Sequence, residues 1–373
     1  MVLPGPQLPG VGAASSVGHQ KNVSAPQEPE SEEIEEEVDE IPHILQRTLQ
    51  GHSGPIYGLT LNKTKNYLLS ASGDRSVRLW NPRSGLCIAR YDDIHREEVG
   101  AVAVAEDSTR FYTAGSDKFA CCVDVTTKDV VRKFHGHEKR LSCCELMAEG
   151  SQILVTGSQD GTVRIWDARF GGGAAKSKGS GKQSGGKAVS SNCIQLLADA
   201  KDAINDVCVV DGRENGASGE SLTGPVEIVT ASMDGRLRRY DVRKGLVTVD
   251  PLGDPLSSVN YSSDGNCLLV SGLYHRIFLL EKDSGELLQR YEGHKNCDFK
   301  IHSCLDPTDA YVFSGSEDGK VYVWELVEGE CKLRIIPDND IMRKNNMLSL
   351  AFRDEKTLLC GGSDGKIRVF GNK

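Results

Sequence analysis

The sequence predicts an all-β fold made of seven copies of one unit, and three observations support this prediction. The segment GSQDGTVRIWDA at 157–168 has close or looser variants at six other places, 72–81, 115–124, 232–241, 271–281, 316–325 and 362–371. Equivalent positions of successive copies lie 43, 43, 74, 40, 44 and 46 residues apart. Apolar and polar residues alternate within the copies. Units of about 40–45 residues with this alternation are typical of four-stranded blades of a β-propeller.

Each copy is predicted to end in a strand that follows a tight turn. In the copy at 157–168, Val163 and Ile165 face one side of the strand, while Arg164 and Trp166 face the other. The Asp-Gly pair before this strand suits the two-residue turn of a β-hairpin.

The segment before the first copy is expected to close the ring. The seventh copy stops after its third strand, so its blade needs a fourth strand from elsewhere. The segment HILQRTL at 43–49 can supply it, and the pairing would remove exposed sheet edges. We therefore predict a seven-bladed β-propeller at 43–373, closed by an N-terminal strand.

Polar residues that accompany the repeats point to a known family. The copies resemble WD repeats, whose fold is a β-propeller. The resemblance implies a hydrogen-bonded set of His, Ser or Thr, Asp and Trp in a complete blade. Three such sets are present: His52, Ser70, Asp74 and Trp80; His137, Thr156, Asp160 and Trp166; and His294, Ser314, Asp318 and Trp324. Because buried polar groups need partners, these side chains are expected to satisfy one another.

Three copies depart from this pattern. Blade 2 keeps His95 and its partners but has Val123 in place of Trp. Blade 5 has Tyr274 where Asp is expected, so its turn must be held differently. Blade 4 places Arg239 in an otherwise apolar column, and a charge at that depth needs a carboxylate or carbonyl partner.

Three segments lie outside the repeats. We predict a disordered acidic tail at 1–42, a flexible insertion rich in Gly, Lys and Ser at 170–192, and a smaller loop at 211–225. In WD-repeat blades the loops between strands 1 and 2 and between strands 3 and 4 lie on the bottom face. Both insertions are therefore expected on the bottom face, and the opposite, top face stays compact.

The charge distribution argues against a nucleic-acid-binding protein. Residues 28–40 hold nine acidic residues, and the chain after residue 42 has 43 basic against 44 acidic residues. An almost neutral domain does not grip nucleic acid nonspecifically, so we expect such contact only through a complex. We also expect no membrane span and no signal peptide, free thiols, and a cytoplasmic and nuclear location.

The motifs of enzymes are incomplete or absent in the sequence. The segment GKQSGGKA at 181–188 has the phosphate-loop spacing, but Ala188 replaces the required Ser or Thr, and no strand leads into it. No Gly-x-Ser-x-Gly elbow, zinc-spacing cluster or dinucleotide fingerprint occurs. We therefore expect a binding protein that has no catalytic residues, metal, cofactor or small-molecule substrate.

The second half of the chain resembles the mitogen-activated protein kinase organizer family. The resemblance lies in DGRLRRYDVRKG at 234–245, EKDSGELLQRYEGHKN at 281–296 and SEDGKVYVWELVEG at 316–329, with weaker support from VVRKFHGH at 130–137. It implies a scaffold that gathers kinase-cascade components, and related proteins occur in spliceosome complexes. The expected partners are therefore other proteins, and the isolated chain is expected to be a monomer.

A second interpretation is a substrate receptor of a cullin-type ubiquitin ligase. Some receptors carry Trp-Asp-x-Arg after the third strand, and WDAR at 166–169, YDVR at 240–243 and WNPR at 80–83 resemble this motif. The alternative explanation is that Asp and Arg at these offsets stabilise the last turn of the blade. A cullin adaptor, if bound, would be a further partner.

The WD-repeat resemblance also implies where partners bind. Binding side chains usually surround the mouth of the central channel, on loops that enter first strands and just before each turn Asp. The predicted top-face residues are Pro55, Tyr57, Glu98, Arg140, Gln159, Asn205, Met233, Lys300, His302, Glu317 and Asn346. The set mixes charge with aromatic and methionine side chains, as protein-recognition surfaces do. We select Tyr57, Arg140, Met233 and Lys300 as the anchors because of their large contact area.

Overall fold

The computed structural model describes residues 41–147, 152–169, 193–210, 226–337 and 345–372. The regular elements in these ranges are β-strands, and they form seven antiparallel sheets of four strands each. This arrangement confirms the predicted all-β, seven-bladed propeller. In the part of the chain described, no helix is long and apolar enough to cross a membrane.

The strands are numbered along the chain, and β1 (Ile44–Gln50) belongs to the last blade. Blade 1 contains β2 (Ile56–Leu61), β3 (Leu68–Ser72), β4 (Val77–Asn81) and β5 (Leu86–Tyr91). Blade 2 contains β6 (Val99–Val104), β7 (Arg110–Gly115), β8 (Phe119–Asp124) and β9 (Val130–His135). Blade 3 contains β10 (Leu141–Met147), β11 (Ile153–Ser158), β12 (Val163–Asp167) and β13 (Cys193–Leu197).

The remaining blades repeat this order. Blade 4 contains β14 (Ile204–Val210), β15 (Glu227–Ser232), β16 (Arg236–Asp241) and β17 (Leu246–Pro251). Blade 5 contains β18 (Leu256–Tyr261), β19 (Cys267–Gly272), β20 (Arg276–Glu281) and β21 (Leu287–Glu292). Blade 6 contains β22 (Ser303–Leu305), β23 (Tyr311–Ser314), β24 (Val321–Glu325) and β25 (Cys331–Ile335). Blade 7 contains β26 (Met347–Asp354), β27 (Thr357–Gly362), β28 (Lys366–Gly371) and β1.

The first strand closes the ring as predicted. β1 pairs antiparallel with β28, from Ile44 opposite Gly371 to Gln50 opposite Lys366. The pairing provides the fourth strand of blade 7 and joins the two ends of the repeat region. Without it, the outer edge of β28 would expose unpaired backbone groups.

The start of the fold differs slightly from the expected boundary. Ile41 is 2% exposed and packs with Phe313 of blade 6 and Met347 of blade 7, although it was assigned to the tail. Pro42 is also buried. The other expected tail residues, 1–40, lie outside the described residues, as do the insertion at 170–192 and the loop at 211–225. Their flanking strands are β12 and β13 for the first and β14 and β15 for the second.

The apolar core lies between neighbouring blades, because both faces of each sheet are covered. On β12, Val163 and Ile165 pack with Ile204 of blade 4. Trp166, on the opposite face of the same strand, packs with Phe134 of blade 2. The alternation seen in the sequence therefore assigns each face of a blade to a different neighbour, which holds the ring together.

Candidate functional site

A buried polar set ties the top turn of blade 1 to its core. His52 Nδ1 donates to the Asp74 carboxylate at 2.8 Å, because a carboxylate can only accept. The other ring nitrogen bonds Ser70 Oγ at 2.7 Å, and Trp80 Nε1 donates to the same oxygen at 2.8 Å. All four predicted side chains are therefore joined in one chain of hydrogen bonds.

Blade 3 contains the same arrangement, and blade 2 contains it without the Trp. In blade 3, His137 lies 3.0 Å from Asp160 and 2.8 Å from Thr156 Oγ1, which accepts a hydrogen bond from Trp166 at 2.8 Å. In blade 2, His95 lies 2.8 Å from both Asp117 and Thr113. Val123 stands where the other two blades have Trp, so no indole N–H donates to the Thr113 hydroxyl.

The turn carboxylates of these sets are held in their charged form. Burial alone would raise the pKa of Asp74, but hydrogen bonds from His52 and Ser76 outweigh it, and the pKa lies well below its usual range. The pKa of Asp160 is lowered in the same way by His137 and Thr162. These carboxylates therefore fix the turns through the hydrogen bonds that they accept from neighbouring groups.

The third predicted set, in blade 6, is not formed. Both ring nitrogens of His294 are buried and have no hydrogen-bond partner among the described residues. Ser314 Oγ donates to the Gly315 carbonyl, and Trp324 Nε1 donates to the Glu292 carbonyl at 3.0 Å. The prediction that His294, Ser314, Asp318 and Trp324 bond one another is therefore wrong.

A tyrosine explains this departure. The Tyr322 hydroxyl donates to Asp318 Oδ2 at 2.9 Å and so occupies the carboxylate that His294 was expected to use. The Tyr322 ring stacks on Trp324 with centroids 5.8 Å apart. Burial, with a smaller contribution from the neighbouring His275, lowers the pKa of His294 to about 4.

Blades 4 and 7, which lack the His, use arginine at the corresponding position. Arg238 donates two hydrogen bonds to Asp234, at 3.1 and 2.6 Å, and Arg368 bonds Asp364 in the same way at 3.2 and 2.7 Å. Both arginines are at most 1% exposed. These pairs were not predicted. The available signal was an Arg four residues after the turn Asp in a blade that lacks the His, since Arg78 and Arg164 stand at the same position in blades that keep it.

The other two irregular positions also have local partners. Arg239 pairs with Asp250 at 3.1 Å, which confirms the expected carboxylate partner. In blade 5, Tyr274 and His275 have φ values of 67° and 69°, which suit the turn but strain the backbone of both residues. The turn is held because His275 Nδ1 accepts a hydrogen bond from the Asn296 backbone N–H at 2.9 Å.

The first strands of the blades surround a central channel with a cavity of about 390 Å³. Lys300 of the blade 6 entry loop reaches across this channel. Its Nζ lies 2.9 Å from Asp206 in blade 4 and 3.3 Å from the Ser142 carbonyl in blade 3. Burial opposes the charge of Lys300, but the Asp206 carboxylate outweighs it and raises the lysine pKa. Lys300, a predicted anchor, is therefore a bridge between blades inside the channel.

Two more predicted residues lie inside the ring. His302 lines the channel, where burial and the nearby Lys300 lower its pKa to about 4, so its ring is neutral. Asn205 donates to the Leu256 carbonyl of blade 5 at 2.7 Å. Asn205 therefore stabilises the contact between blades 4 and 5.

At the mouth of the channel, three predicted residues come together from three blades. Tyr57 of blade 1 lies beside Glu98 of blade 2 and Arg140 of blade 3, and both charged residues are exposed. Burial first, and then the charge of Glu98, raise the pKa of Tyr57, while Arg140 lowers it. An aromatic ring, an acid and a guanidinium thus share one accessible surface.

The remaining predicted residues divide into two groups. Pro55, Gln159, Met233 and Asn346 are partly exposed on the top face. Glu317 is only 8% exposed, and its Oε1 accepts hydrogen bonds from the backbone N–H groups of residues 297–299, at 2.7, 2.7 and 3.2 Å. Its expected position as a surface contact is therefore corrected, because the carboxylate is consumed in holding this loop.

Two exposed aromatic side chains on the top face were missed. Tyr274 is 58% exposed in the turn of blade 5, and Phe299 is 43% exposed in the loop that enters blade 6. The Tyr274 backbone N–H bonds the Asn296 carbonyl, so the two loops adjoin. Phe299 directly precedes Lys300, and its aromatic character was the available signal.

On the bottom face, the Asp-x-Arg segment of blade 3 forms a local pair. Asp167 accepts the Arg169 backbone N–H at 2.7 Å and its guanidinium at 3.0–3.2 Å. Asp241 likewise accepts the Arg243 backbone N–H at 3.0 Å. These bonds support the explanation that Asp and Arg at this offset stabilise the last turn.

Comparisons with known proteins agree with the repeat pattern. The family model of the WD domain, G-beta repeat, matches residues 44–81, 128–167 and 285–325. Each matched segment begins at or near the outermost strand of one sheet and ends on the third strand of the next blade. These are the three segments that end on the Trp-bearing strands of blades 1, 3 and 6.

Several curated proteins are similar over most of the chain. WD repeat domain-containing protein 83 of Xenopus tropicalis is 34% identical over 332 residues, which cover 89% of this chain and 93% of the relative. The WD repeat domain-containing protein 83 homolog of Dictyostelium discoideum is 28% identical over 310 residues, covering 79% and 89%. An uncharacterized WD repeat-containing protein of Schizosaccharomyces pombe is 37% identical over 272 residues, covering 73% and 80%.

Proposed function

The chain belongs to the WD repeat domain-containing protein 83 family, and we propose that it is a non-catalytic scaffold that assembles a multiprotein complex. A propeller of WD repeats supports a role in binding other proteins. The proposed partners are components of a mitogen-activated protein kinase cascade and spliceosomal proteins. The proposed location of these interactions is the cytoplasm and the nucleus.

The observation that carries the proposal is the cluster at the mouth of the channel. Tyr57, Glu98 and Arg140 come from three consecutive blades, and Glu98 and Arg140 are exposed. Such a mixture of aromatic and charged groups is typical of protein-recognition surfaces and differs from the basic stripe of a nucleic-acid-binding protein. The partner would therefore contact blades 1 to 3 at the top face, together with the predicted anchor Met233 in the adjoining blade 4.

The fate of the His–Asp pairs supports a role without catalysis. In blades 1 and 3, the second ring nitrogen is bound to a Ser or Thr hydroxyl that also accepts from a buried Trp. The side chains of His52 and His137 are at most 1% exposed. A general base must reach the proton of a substrate, and these imidazoles are sealed from it.

The test compares matched variants of the two faces. Tyr57→Ala, Arg140→Ala and Met233→Ala are combined in one top-face variant. The bottom-face control combines Tyr67→Ala and Arg110→Ala, which remove an exposed aromatic and an exposed Arg of the same types. Lys300 is left intact, because its removal would strand the buried Asp206. Each protein is purified by affinity from nuclear and cytosolic fractions, and its partners are identified by mass spectrometry.

Partner recovery should be lost in the top-face variant and kept in the control, with nearly unchanged melting temperatures for both. Kinase-cascade or spliceosomal proteins should be among the lost partners. If binding survives in the top-face variant and deletion of 170–192 removes it, recognition lies on the bottom face and the proposed site is wrong.

A second candidate is a substrate receptor of a cullin-type ubiquitin ligase, which one observation favours. The Arg169 side chain is 59% exposed at the edge of a bottom-face cavity, so its outer surface is accessible despite the pairing with Asp167. A cullin adaptor should then co-purify with the chain and be lost on Arg169→Ala with Arg243→Ala. Failure to recover any adaptor would reject this candidate.

A further inference from the structure

Three blades place a cysteine of the outer strand opposite the Trp of the third strand. The backbone pairs are Trp80 with Cys87, Trp166 with Cys193, and Trp324 with Cys331. Cys87 and Cys331 are exposed, Cys193 is partly exposed, and all twelve cysteines of the chain are free thiols. The three sulfurs thus lie at equivalent positions on the outer wall of the propeller, although their neighbours differ.

In blades 1 and 3 an arginine contacts this sulfur. The Arg78 guanidinium carbon lies 5.9 Å from the centre of the Trp80 ring, and its Nη1 donates to Cys87 Sγ at 3.9 Å. In blade 3, Arg164 lies 5.8 Å from the Trp166 ring. Its Nη1 donates to Cys193 Sγ at 3.8 Å.

Blade 6 offers a natural comparison. The residue equivalent to these arginines is Tyr322, whose hydroxyl is bound to Asp318. Among the described residues no guanidinium donates to Cys331, whose S–H points to a carbonyl two residues on, as those of Cys87 and Cys193 do. The three thiols share a backbone setting and differ in whether an Arg contacts the sulfur, because Arg334 of blade 6 lies over the Tyr322 ring at 5.5 Å.

Neither arginine is neutralised by an acid. Within the described ranges, no carboxylate lies in ion-pair distance of Arg78 or Arg164, and the Nε of each is buried without a hydrogen-bond partner. Arg238 and Arg368, at the same position in blades 4 and 7, are instead bound to the turn Asp. The charges of Arg78 and Arg164 are therefore left for an anionic ligand that approaches the nearby cysteine sulfur.

One glycine beside each of the two arginines leaves room for its guanidinium. A Cβ at Gly51 would lie 2.5 Å from Arg78 Nη1 and 2.9 Å from the Trp80 ring. A Cβ at Gly136 would meet Arg164 Nη1 at 2.8 Å. The Gly of the Gly-His pair thus makes room for a guanidinium stacked on the indole.

We propose that Cys87 and Cys193 are sites of thiol–disulfide exchange with small anionic disulfides such as oxidised glutathione. The guanidinium beside each sulfur has no carboxylate partner among the described residues, so its charge attracts the carboxylates of glutathione and brings the disulfide to the thiol. The thiolate is the nucleophile in the exchange. In the step, the cysteine sulfur attacks one sulfur of the disulfide. A new S–S bond forms, the old one breaks, and the released thiolate takes up a proton from solvent.

The expected advantage over Cys331 is moderate. One exposed charge attracts an anionic disulfide only weakly through water, so we expect a gain in rate of roughly threefold. Exposure alone would favour Cys331 over the less exposed Cys193. A faster Cys193 is therefore diagnostic of the arginine.

The experiment incubates the full chain with oxidised glutathione and follows mixed disulfides at each cysteine by mass spectrometry. Cys87 and Cys193 should react about threefold faster than Cys331, because the guanidinium attracts the anionic disulfide. Arg78→Gln should slow Cys87 alone, and Arg164→Gln should slow Cys193 alone, so each variant is the control of the other. Equal rates at the three thiols in the unaltered protein, or variants that slow both cysteines alike, would overturn the proposal.

Discussion

The Tyr322 hydroxyl donates a hydrogen bond to Asp318 at 2.9 Å, and this contact decides the hydrogen bonding of blade 6. The turn Asp of blades 1 to 3 accepts from a His, whereas that of blades 4 and 7 accepts from an Arg. The Tyr or Arg stands four residues after the Asp in every such case. When that residue can reach the carboxylate, the His is either absent or, like His294, left without a partner.

His294 should be replaceable by an apolar ring. It lies edge-on to Trp324 with ring centroids 5.6 Å apart, and neither nitrogen has a partner in the described part of the chain. An unsatisfied buried polar group costs about 1–3 kcal/mol, so His294→Phe should be neutral or stabilising in urea unfolding. The matched change His52→Phe strands Asp74 and Ser70 and should destabilise by about 1–3 kcal/mol. Equal losses in both variants would contradict this account.

His294 should also make the protein sensitive to mild acid. Its pKa is about 4 in the folded state and 6.5 ordinarily, so the unfolded chain binds its proton first as the pH falls. The stability that depends on neutral His294 is therefore fully present above pH 6.5. It is lost as the pH falls from 6.5 to 4, by up to about 1.4 kcal/mol per pH unit. Urea unfolding at pH 7, 6 and 5 should show a shallower loss for His294→Phe. An identical pH dependence in the two proteins would exclude this role.

The complete set of blade 3 should behave as a unit. His137→Ala removes a hydrogen-bond donor of the buried Asp160 carboxylate, and Asp160→Ala removes the acceptor of His137. Asp160→Ala also removes the acceptor of the Glu138 and Thr162 backbone N–H groups. Each change should lower the free energy of unfolding by a few kcal/mol, which a thermal melt of the purified variants will detect. An unchanged midpoint would mean that these bonds contribute little.

The bridge across the channel should be costly to break on one side. Lys300→Met leaves Asp206 charged and poorly solvated, so we expect a loss of about 3–5 kcal/mol. Asp206→Asn keeps an oxygen for the Val259 backbone N–H and removes the charge. The double variant should therefore regain most of the lost stability in chemical denaturation. A double variant as unstable as Lys300→Met would show that packing, and not charge, explains the loss.

The agreement between sequence and structure is closest where periodicity carries the information. The spacing of the copies predicted seven blades, and the unpaired third strand of the last copy predicted the β1–β28 pairing. Both follow from local backbone patterns, because every blade must pair its strands and cover both faces. The burial of Ile41 could not be predicted from periodicity, because a single apolar residue next to an acidic run carries no repeating pattern.

The candidate site shows where this local logic stops. Glu317 was expected at the surface because of its place before a turn Asp, but the loop at 297–299 bends over it and uses its carboxylate. Lys300 and Asp206 are separated by 94 residues and meet because the first strands converge on the channel. No spacing in the sequence predicts such a contact.

The repeat unit, its turn carboxylates and the closing strand are encoded in short stretches of sequence, because hairpin turns and strand alternation depend on neighbouring residues. The partner of each turn Asp is decided by tertiary structure. His, Arg and Tyr side chains compete for the same carboxylate oxygens, and the packing of the blade decides which donor comes within hydrogen-bond distance. Thus the His, Ser or Thr, Asp and Trp pattern of blade 6 matches that of blades 1 and 3, yet His294 has no hydrogen-bond partner in the described ranges, because Tyr322 reaches Asp318 at 2.9 Å. Only the packed blade brings that hydroxyl to the acid.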